Sequence, residues 1–506
     1  MLGSHQRKQL QQYSQSINAL NRELGKNTDL YVNNVLSKDP YAGGGLILLL
    51  KNKRIPFVPF SRKLLYISKY FATSFAFLVL WISKKILFNL MIPRINIKNI
   101  DHLHVVDIFL LSKNIAQSGK FQDRYLSELI KVLRKNNLNY MYLPCFYRDG
   151  YNPIIWFKLY RILKKSKHQF ISEYDLLTYL DILKIVKFLF RYLFLLLSFI
   201  KEHKVESNID EAIHYSLENS LKDYTLLAYI RYLVGVNLAK NLNNAKLLSY
   251  CEYQVVDKSL YKGIKDIDKG FKIYAYQQLR THEFFMNMKI PEQDKYIGIA
   301  PDKIIVNGDY YLPKKTNYKY TALSIRNKEV FYTASDKKSN NCLILLPYNS
   351  AYSIYIINSI MESKIINNDF YIKPHPTLDL KILKQHWEYG NIIYGDLYQY
   401  IPNANIIITA IGGAALEAVS MGVTVIIIEN KNDFNINPLI GLGKGIIWDI
   451  VYNGKELNTV YENLLEKRVN NFDEVMDYSK KYRDLFFSKP SDKDILTSFD
   501  ASNSTK

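Results

Sequence analysis

A histidine held between two prolines, Pro374-His375-Pro376, follows an apolar run that starts at Asp369 and ends at Lys373. Two prolines fix a loop and cannot continue a β-ladder, so His375 would stand in one place at a strand end. An imidazole there can donate a hydrogen bond to a phosphate oxygen, more strongly when protonated. Lys373 adds positive charge, although strand alternation can turn its side chain away. The plain structural explanation is a rigid loop with a surface histidine. A second group is Thr409-Ala410-Ile411-Gly412-Gly413-Ala414-Ala415-Leu416-Glu417. Its small residues let a ligand approach the backbone, and amides at a helix start can bind phosphate. Glu417, about one turn into that helix, could accept bonds from ribose hydroxyls. Tight helix–sheet packing with a solvated Glu417 explains the same pattern. The third group, Pro347-Tyr348-Asn349-Ser350, is either a loop closing over phosphates or the group they carry, or a plain connection.

These groups need a scaffold that brings strand ends together. From Asn341 onward, Ile/Val/Leu runs alternate with helical patterns: strands at 342–346, 369–373, 391–394, 406–409, 423–428 and 446–449, with helices at 352–363, 380–387, 397–401 and 414–421. That spacing indicates βα units and a parallel sheet covered on both faces. Ligands bind such sheets at the carboxyl ends of the strands. Earlier in the chain, strands are expected at 46–50, 103–111, 140–143, 247–250, 271–276 and 303–306, the last closed by Asn307-Gly308, a turn signal. Helices are expected over 13–36, 124–133, 173–183 and 214–237, a loop over 112–122, and a polar linker or crossover over 313–338.

A group transfer to a hydroxyl needs a carboxylate or imidazole beside that hydroxyl. The candidates are Glu252 after a short apolar strand, Asp107 inside Val105-Val106-Asp107-Ile108-Phe109, and His282 after Gln277 and Gln278. Glu252 is preferred. A carboxylate placed like Asp107 must be paired or lie at a cleft; a structural hydrogen bond would also account for it. Arg148 and Asp149 before Gly150 read as a turn.

With 506 residues, the chain is too long for one ordinary core. Its organisation reads as an extension over 1–100 with an apolar helix, an acceptor-side α/β domain over 101–315 with an apolar insertion near 185–200, a donor-binding domain over 316–485, and a polar, frayed tail over 486–506. The net charge of +20 attracts anions. The basic residues flank apolar runs and show neither zinc-finger spacing nor an Arg-rich tail, which favours a lipid surface over nucleic acid. Phe71–Trp81, continued past Lys84 and Lys85 to Ile92, and Ile185–Ile200 with Lys187 and Arg191, fit helices lying in a membrane interface with lysines reaching headgroups. Core helices are the alternative. Cys145, Cys251 and Cys342 are few, odd in number and far apart, which points to a reducing compartment and no metal cluster. The polar start, Met1–Asn27, has no signal-peptide pattern.

The C-terminal motifs resemble the nucleotide-binding domain of GT-B glycosyltransferases, in particular bacterial surface-polysaccharide enzymes with a histidine–proline motif, sialyltransferases and Kdo transferases among them. Tyr250-Cys251-Glu252-Tyr253-Gln254, Gly263, Tyr274-Ala275-Tyr276-Gln277 and Asn307-Gly308 are similar to a pattern in surface-carbohydrate biosynthesis proteins. The resemblance implies an α/β fold of two Rossmann-like domains facing a cleft. It gives His375, Thr409, Gly412 and Gly413 to the nucleotide phosphate and Glu417 to the acidic helix position. It implies an inverting transferase that needs no metal or resident cofactor. Its donor would be a nucleotide sugar such as a CMP-activated ulosonic acid, and its acceptor a lipid-linked or surface glycan at the cytoplasmic face of a bacterial inner membrane. Gly412, Gly413 and Ala414 stand where sialyltransferases commonly show serines, which leaves UDP-sugars, other nucleotide sugars and CDP-linked polyols open. A sugar-nucleotide epimerase, a polyol-phosphate transferase and a membrane-surface scaffold are the alternative functions.

Overall fold

The computed structural model describes residues 4–501, apart from 35, 37–38, 40, 96, 99, 101, 148–149, 224, 279–287, 337–338, 340, 364, 366–369, 377, 379–380, 382–384, 388–390, 411 and 432–436. The proposed turn at Arg148 and Asp149 therefore lies outside the described residues.

Two parallel sheets organise the chain. The first contains β1 (His104–Leu111), β2 (Tyr140–Tyr147), β3 (Lys246–Tyr250), β4 (Lys272–Gln277), β5 (Lys303–Val306) and β6 (Lys319–Ala322), in the order β2-β1-β3-β4-β5-β6. The second contains β7 (Asn341–Leu346), β8 (Phe370–Pro374), β9 (Asn391–Ile392), β10 (Ala404–Thr409), β11 (Thr424–Ile428) and β12 (Trp448–Val451), in the order β12-β11-β10-β7-β8-β9. Every residue of β10 and β11 is buried, because helices cover both faces; this is what their unbroken apolar runs require. The carboxyl ends of the two sheets line one shared cleft, so the molecule has the expected GT-B-like arrangement of two α/β domains.

The first sheet has a deep helical coat. α1 (Ser4–Gly25), α2 (Thr28–Asn33), α3 (Gly45–Leu50) and α4 (Phe60–Met91) precede it. α5 (Ser112–Ser118) and α6 (Ser127–Lys135) follow β1. Between β2 and β3 lie α7 (Pro153–Lys165), α8 (Glu173–Leu176), α9 (Tyr179–Glu202), α10 (Asn208–Ser220) and α11 (Leu226–Asn241). α12 (Val255–Ile267) joins β3 to β4, and α13 (Gln293–Ile297) precedes β5. The second sheet is covered by α14 (Ser350–Met361), α15 (Ala414–Ser420), α16 (Gly454–Asn470) and α17 (Phe472–Phe486), and α18 (Asp492–Ser498) comes last.

Several expectations are corrected. Leu46–Leu50 is a helix: Leu46, Leu49 and Leu50 are buried at helical spacing, a pattern that a five-residue apolar run cannot distinguish from a strand. The expected loop after β1 contains α5, ended by Gly119 in the left-handed region. The stretch 313–338, read as linker or crossover, contributes β6 to the first sheet, so the boundary expected at 315 falls before that domain is finished. Asn307-Gly308 is no hairpin turn. Gly308 is extended, and a Cβ there would come within 2.3 Å of the Phe486 backbone, so close chain approach explains the glycine.

The described part of the tail, through Ala501, is packed against the protein. Ser488 N donates to Asn307 O at 2.8 Å, returning the chain to the first domain. α18 packs there, with Lys135 paired to Asp492 at 2.5 Å and Tyr274 donating to Asp500 at 2.7 Å. Phe499 and Ala501 are fully buried in the first core.

The two lysines expected at headgroups point inward instead. Lys84 lies over the Trp156 ring, and Lys85 donates to the Tyr174 carbonyl of α8 and to the Leu177 carbonyl just past it. These carbonyl acceptors let α4 run unbroken through residues that divide its apolar sequence.

Candidate functional site

The cleft holds a cavity of about 2320 Å³ lined from both sheets. In the second domain, β8 delivers Lys373 and the Pro374-His375-Pro376 loop to its wall. His375 N donates to Leu346 O at 2.9 Å, which ties the loop to the end of β7, while the imidazole is exposed and meets Tyr348 edge-on at 6.0 Å. On the other side of β7, β10 ends at Thr409 and is followed by Gly412 and Gly413. Gly412 has φ +142°, a conformation that L side chains rarely adopt, and a Cβ there would meet nothing within 4 Å. The glycine is therefore demanded by the backbone, while the open space beyond it is the cavity. Glu417 is half-buried one turn into α15 and also lines the cavity.

Lys373, Asn349, Thr409, Gly412, Gly413, Glu417, His375 and Pro376 thus all reach one cavity. Their roles differ. Thr409 Oγ1 donates to Leu345 O at 3.1 Å, bracing β10 against β7. Asn349 Oδ1 accepts from Ala351 N at 2.9 Å and Tyr352 N at 3.2 Å, so this oxygen caps α14.

The first domain supplies the facing wall. β3 runs out through Tyr250 to Glu252, whose carboxylate accepts from Tyr250 Oη at 3.1 Å and Gln254 Nε2 at 3.4 Å. Tyr250 stacks on Tyr125 with ring centres 4.0 Å apart. Tyr253, in the left-handed region at φ 53°, turns back into the protein and donates to Asp294 Oδ2 at 2.5 Å. Glu252 and Gln254 on either side of it face the cavity.

Asp107 is not part of this wall. It is buried at mid-strand, accepting from Arg231 Nη2 at 2.6 Å and Ser249 Oγ at 2.9 Å. The catalytic expectation for Asp107 is therefore corrected to a structural ion pair. His282 lies outside the described residues.

Two cations that sequence reasoning passed over complete the cleft. Arg326 follows β6 and sits deep between the domains, open to solvent on the cavity side. It donates to Gln278 Oε1 at 2.5 Å and lies 5.3 Å from the Tyr125 ring centre. Burial opposes its charge, but Tyr250, Glu417, Tyr125 and Tyr398 outweigh that and raise its pKa. The second is Arg124, from the loop before α6. Lys373 has its pKa lowered, first by burial and further by Arg124 across the cleft, against the pull of Asp396. Like charges contributed by opposite domains mark a place where an anion gains most. No apolar run announced Arg326: the strand before it is Lys319-Tyr320-Thr321-Ala322, within a stretch that reads as polar linker or crossover.

No family model and no curated protein matches the chain. Solved structures are similar to it only distantly. The UDP-GlcNAc 2-epimerase from Neisseria meningitidis, bound to UDP-GlcNAc, has 10% identity and a TM-score of 0.44, with 80% of this chain and 100% of that chain covered. MurG from Acinetobacter baumannii has 11% identity and a TM-score of 0.41, with 80% and 100% covered. The wall teichoic acid polymerase TagF has 11% identity and a TM-score of 0.40, with 88% and 97% covered. At these scores the likeness says nothing about chemistry.

Proposed function

We propose that the protein is a nucleotide-sugar-dependent glycosyltransferase of the inverting kind. The observation that carries this reading is the gathering of His375, Lys373, the Gly412-Gly413 turn, Arg326 and Arg124 around one cavity, with Glu252 on the facing wall. In the proposed reaction, the Glu252 carboxylate takes the proton of an acceptor hydroxyl as that oxygen attacks the anomeric carbon. The bond from this carbon to the phosphate oxygen breaks, and its electron pair leaves with the nucleotide. His375, Lys373 and the amides after Gly412 meet the charge that develops on the phosphate, the group of interactions that lowers such a barrier most. Glu417 holds the ribose in this scheme.

The finer reading is a CMP-activated ulosonic acid, such as Kdo or a sialic acid, passed to a lipid-linked or surface glycan by a peripheral or monotopic enzyme at the cytoplasmic face of a bacterial inner membrane. It is supported by the histidine–proline resemblance, the net charge of +20 and the 32-residue apolar helix α4.

The test is a panel of CMP-, CDP-, UDP- and GDP-sugars, read by thermal shift and by product formation with the responding donor. Glu252→Gln should leave the shift unchanged and lower transfer by about 100-fold or more, the usual weight of a general base. Full transfer by Glu252→Gln would remove Glu252 as the base. Conversion of the sugar without an acceptor would favour the epimerase, and no response to any nucleotide would favour the scaffold.

A further inference from the structure

α4 is inverted relative to a helix on a water-facing surface. Its inward face buries Lys84 and Lys85 with Tyr70, Leu78, Trp81 and Phe88. Its outward face from residue 72 onward is Ala72, Phe75, Ala76, Val79, Ser83, Ile86 and Leu90, without a single charge; Val79 is 62% exposed and Leu90 79%. A soluble helix puts its charges outside and its apolar stripe inside. Scattered exposed apolar residues are ordinary, but a continuous uncharged stripe is not.

The stripe is widened by its neighbours. Phe71 of α4 meets Phe190 of α9 at 5.2 Å, and Phe88 meets Tyr160 of α7 at 5.2 Å. α9 exposes Leu183, Phe190 and Phe194 beside Lys184, Lys187 and Arg191. α7 exposes Ile154 and Phe157 beside Lys158, Arg161 and Lys164, and its sequence has no acid. Lys184 and Arg191 are paired with Asp181 and Asp29, so the basic rim is carried chiefly by Lys187 and the cations of α7.

We infer that the outer faces of α4, α7 and α9 form one surface that docks on an anionic lipid bilayer, with Phe75, Val79 and Leu90 entering the acyl boundary and the lysines of α7 and α9 at the headgroups. An apolar stripe rimmed by cations is the pattern that holds a helix in the interface plane. Crossing the bilayer is disfavoured by the inner face: Trp81 donates to Glu173 at 2.6 Å and Lys85 to backbone carbonyls, so α4 cannot leave the domain without exposing those groups. The surface also joins the cleft. Ile47, Leu50 and Lys51–Lys53 line the cavity, and the chain runs from them past exposed Phe57 directly into α4. The inference rests on the sugar-transfer reading only for what the docked surface would deliver to that rim.

Flotation of the full chain with phosphatidylcholine vesicles, with or without phosphatidylglycerol, tests it. The protein should partition onto the anionic vesicles. Phe75→Asp/Val79→Asp/Leu90→Asp should lose about tenfold or more of that partitioning, since a carboxylate at the acyl boundary is costly. Val469→Asp, an equally exposed change on α16, should float like the wild type. Lys158→Glu/Lys164→Glu/Lys187→Glu should remove the preference for phosphatidylglycerol. Wild-type partitioning by the triple aspartate variant, or no partitioning by the native protein, overturns the inference. So does a dimer in vesicle-free solution that the aspartates dissociate, because a second copy would then cover the face. Nucleotide thermal shifts of the same proteins report on the cleft separately, so either reading can fail without the other.

Discussion

Asp107 lies within β1 and Glu252 just beyond the end of β3, the strand beside it, yet they occupy different chemical worlds. Asp107 lies in register with Ser249, and the chain runs on from Ser249 to Glu252. In the sheet centre, Asp107 has a fixed cation and a fixed hydroxyl, so its charge is committed to the fold. At the rim, the Glu252 carboxylate has donors on the protein side and the cavity on the other. The difference teaches that an acid in an apolar strand carries little functional information until its partner is known. An acid just beyond the strand end is informative because the parallel sheet directs that position toward ligand.

The contrast can be broken most forcefully at its structural member. Arg231→Met leaves the Asp107 carboxylate buried with only Ser249, and should lower unfolding free energy by about 3–5 kcal/mol in a denaturant titration. A small loss would mean that the charge is not committed to the fold. A subtler effect concerns Lys373. Burial, reinforced by Arg124, depresses its pKa below the ordinary lysine value of about 10.4. Nucleotide affinity should therefore fall as pH rises through this lowered pKa, earlier than a surface lysine would allow, as the ammonium is lost. Calorimetric titration across alkaline pH should show the fall in the native protein, and Lys373→Arg should remove it. A flat native profile would take Lys373 out of phosphate binding. The smallest change expected is at Asn349, whose oxygen caps α14. Asn349→Ala should cost about 1 kcal/mol of stability and leave nucleotide affinity as it was. A tenfold weaker nucleotide would return Asn349 to the binding residues.

The second domain was the most legible part of the sequence. Its central strands β7, β10 and β11 are short runs rich in Ile, Val and Leu, and buried parallel strands are made that way. His375 and Gly412 followed from the sheet's strand ends, since the fold fixes where the ends point. Other features depend on contacts between distant segments. The helix at 45–50 is set by its packing on α10, where Gly45 N donates to Ser216 Oγ at 3.0 Å. α18 is polar on its own and gains its core from the first sheet. Arg326 stood in a stretch whose composition reads as linker, although its role depends on Tyr125, Tyr250 and Glu417, far away in sequence. The division of α4 by Lys84 and Lys85 misled for the same reason: Lys84 rests on the Trp156 ring, and the acceptors of Lys85 are carbonyls about ninety residues onward.

The central claim is that the two rims close on a nucleotide phosphate. Its most direct measurement is a structure of the protein with the donor nucleotide that gives the largest thermal shift. The account predicts the phosphate against the His375 imidazole and the backbone after Gly412, with Lys373 and Arg124 on either side and Glu252 facing the sugar. A nucleotide bound elsewhere, or a cleft left empty at saturating ligand, would contradict it.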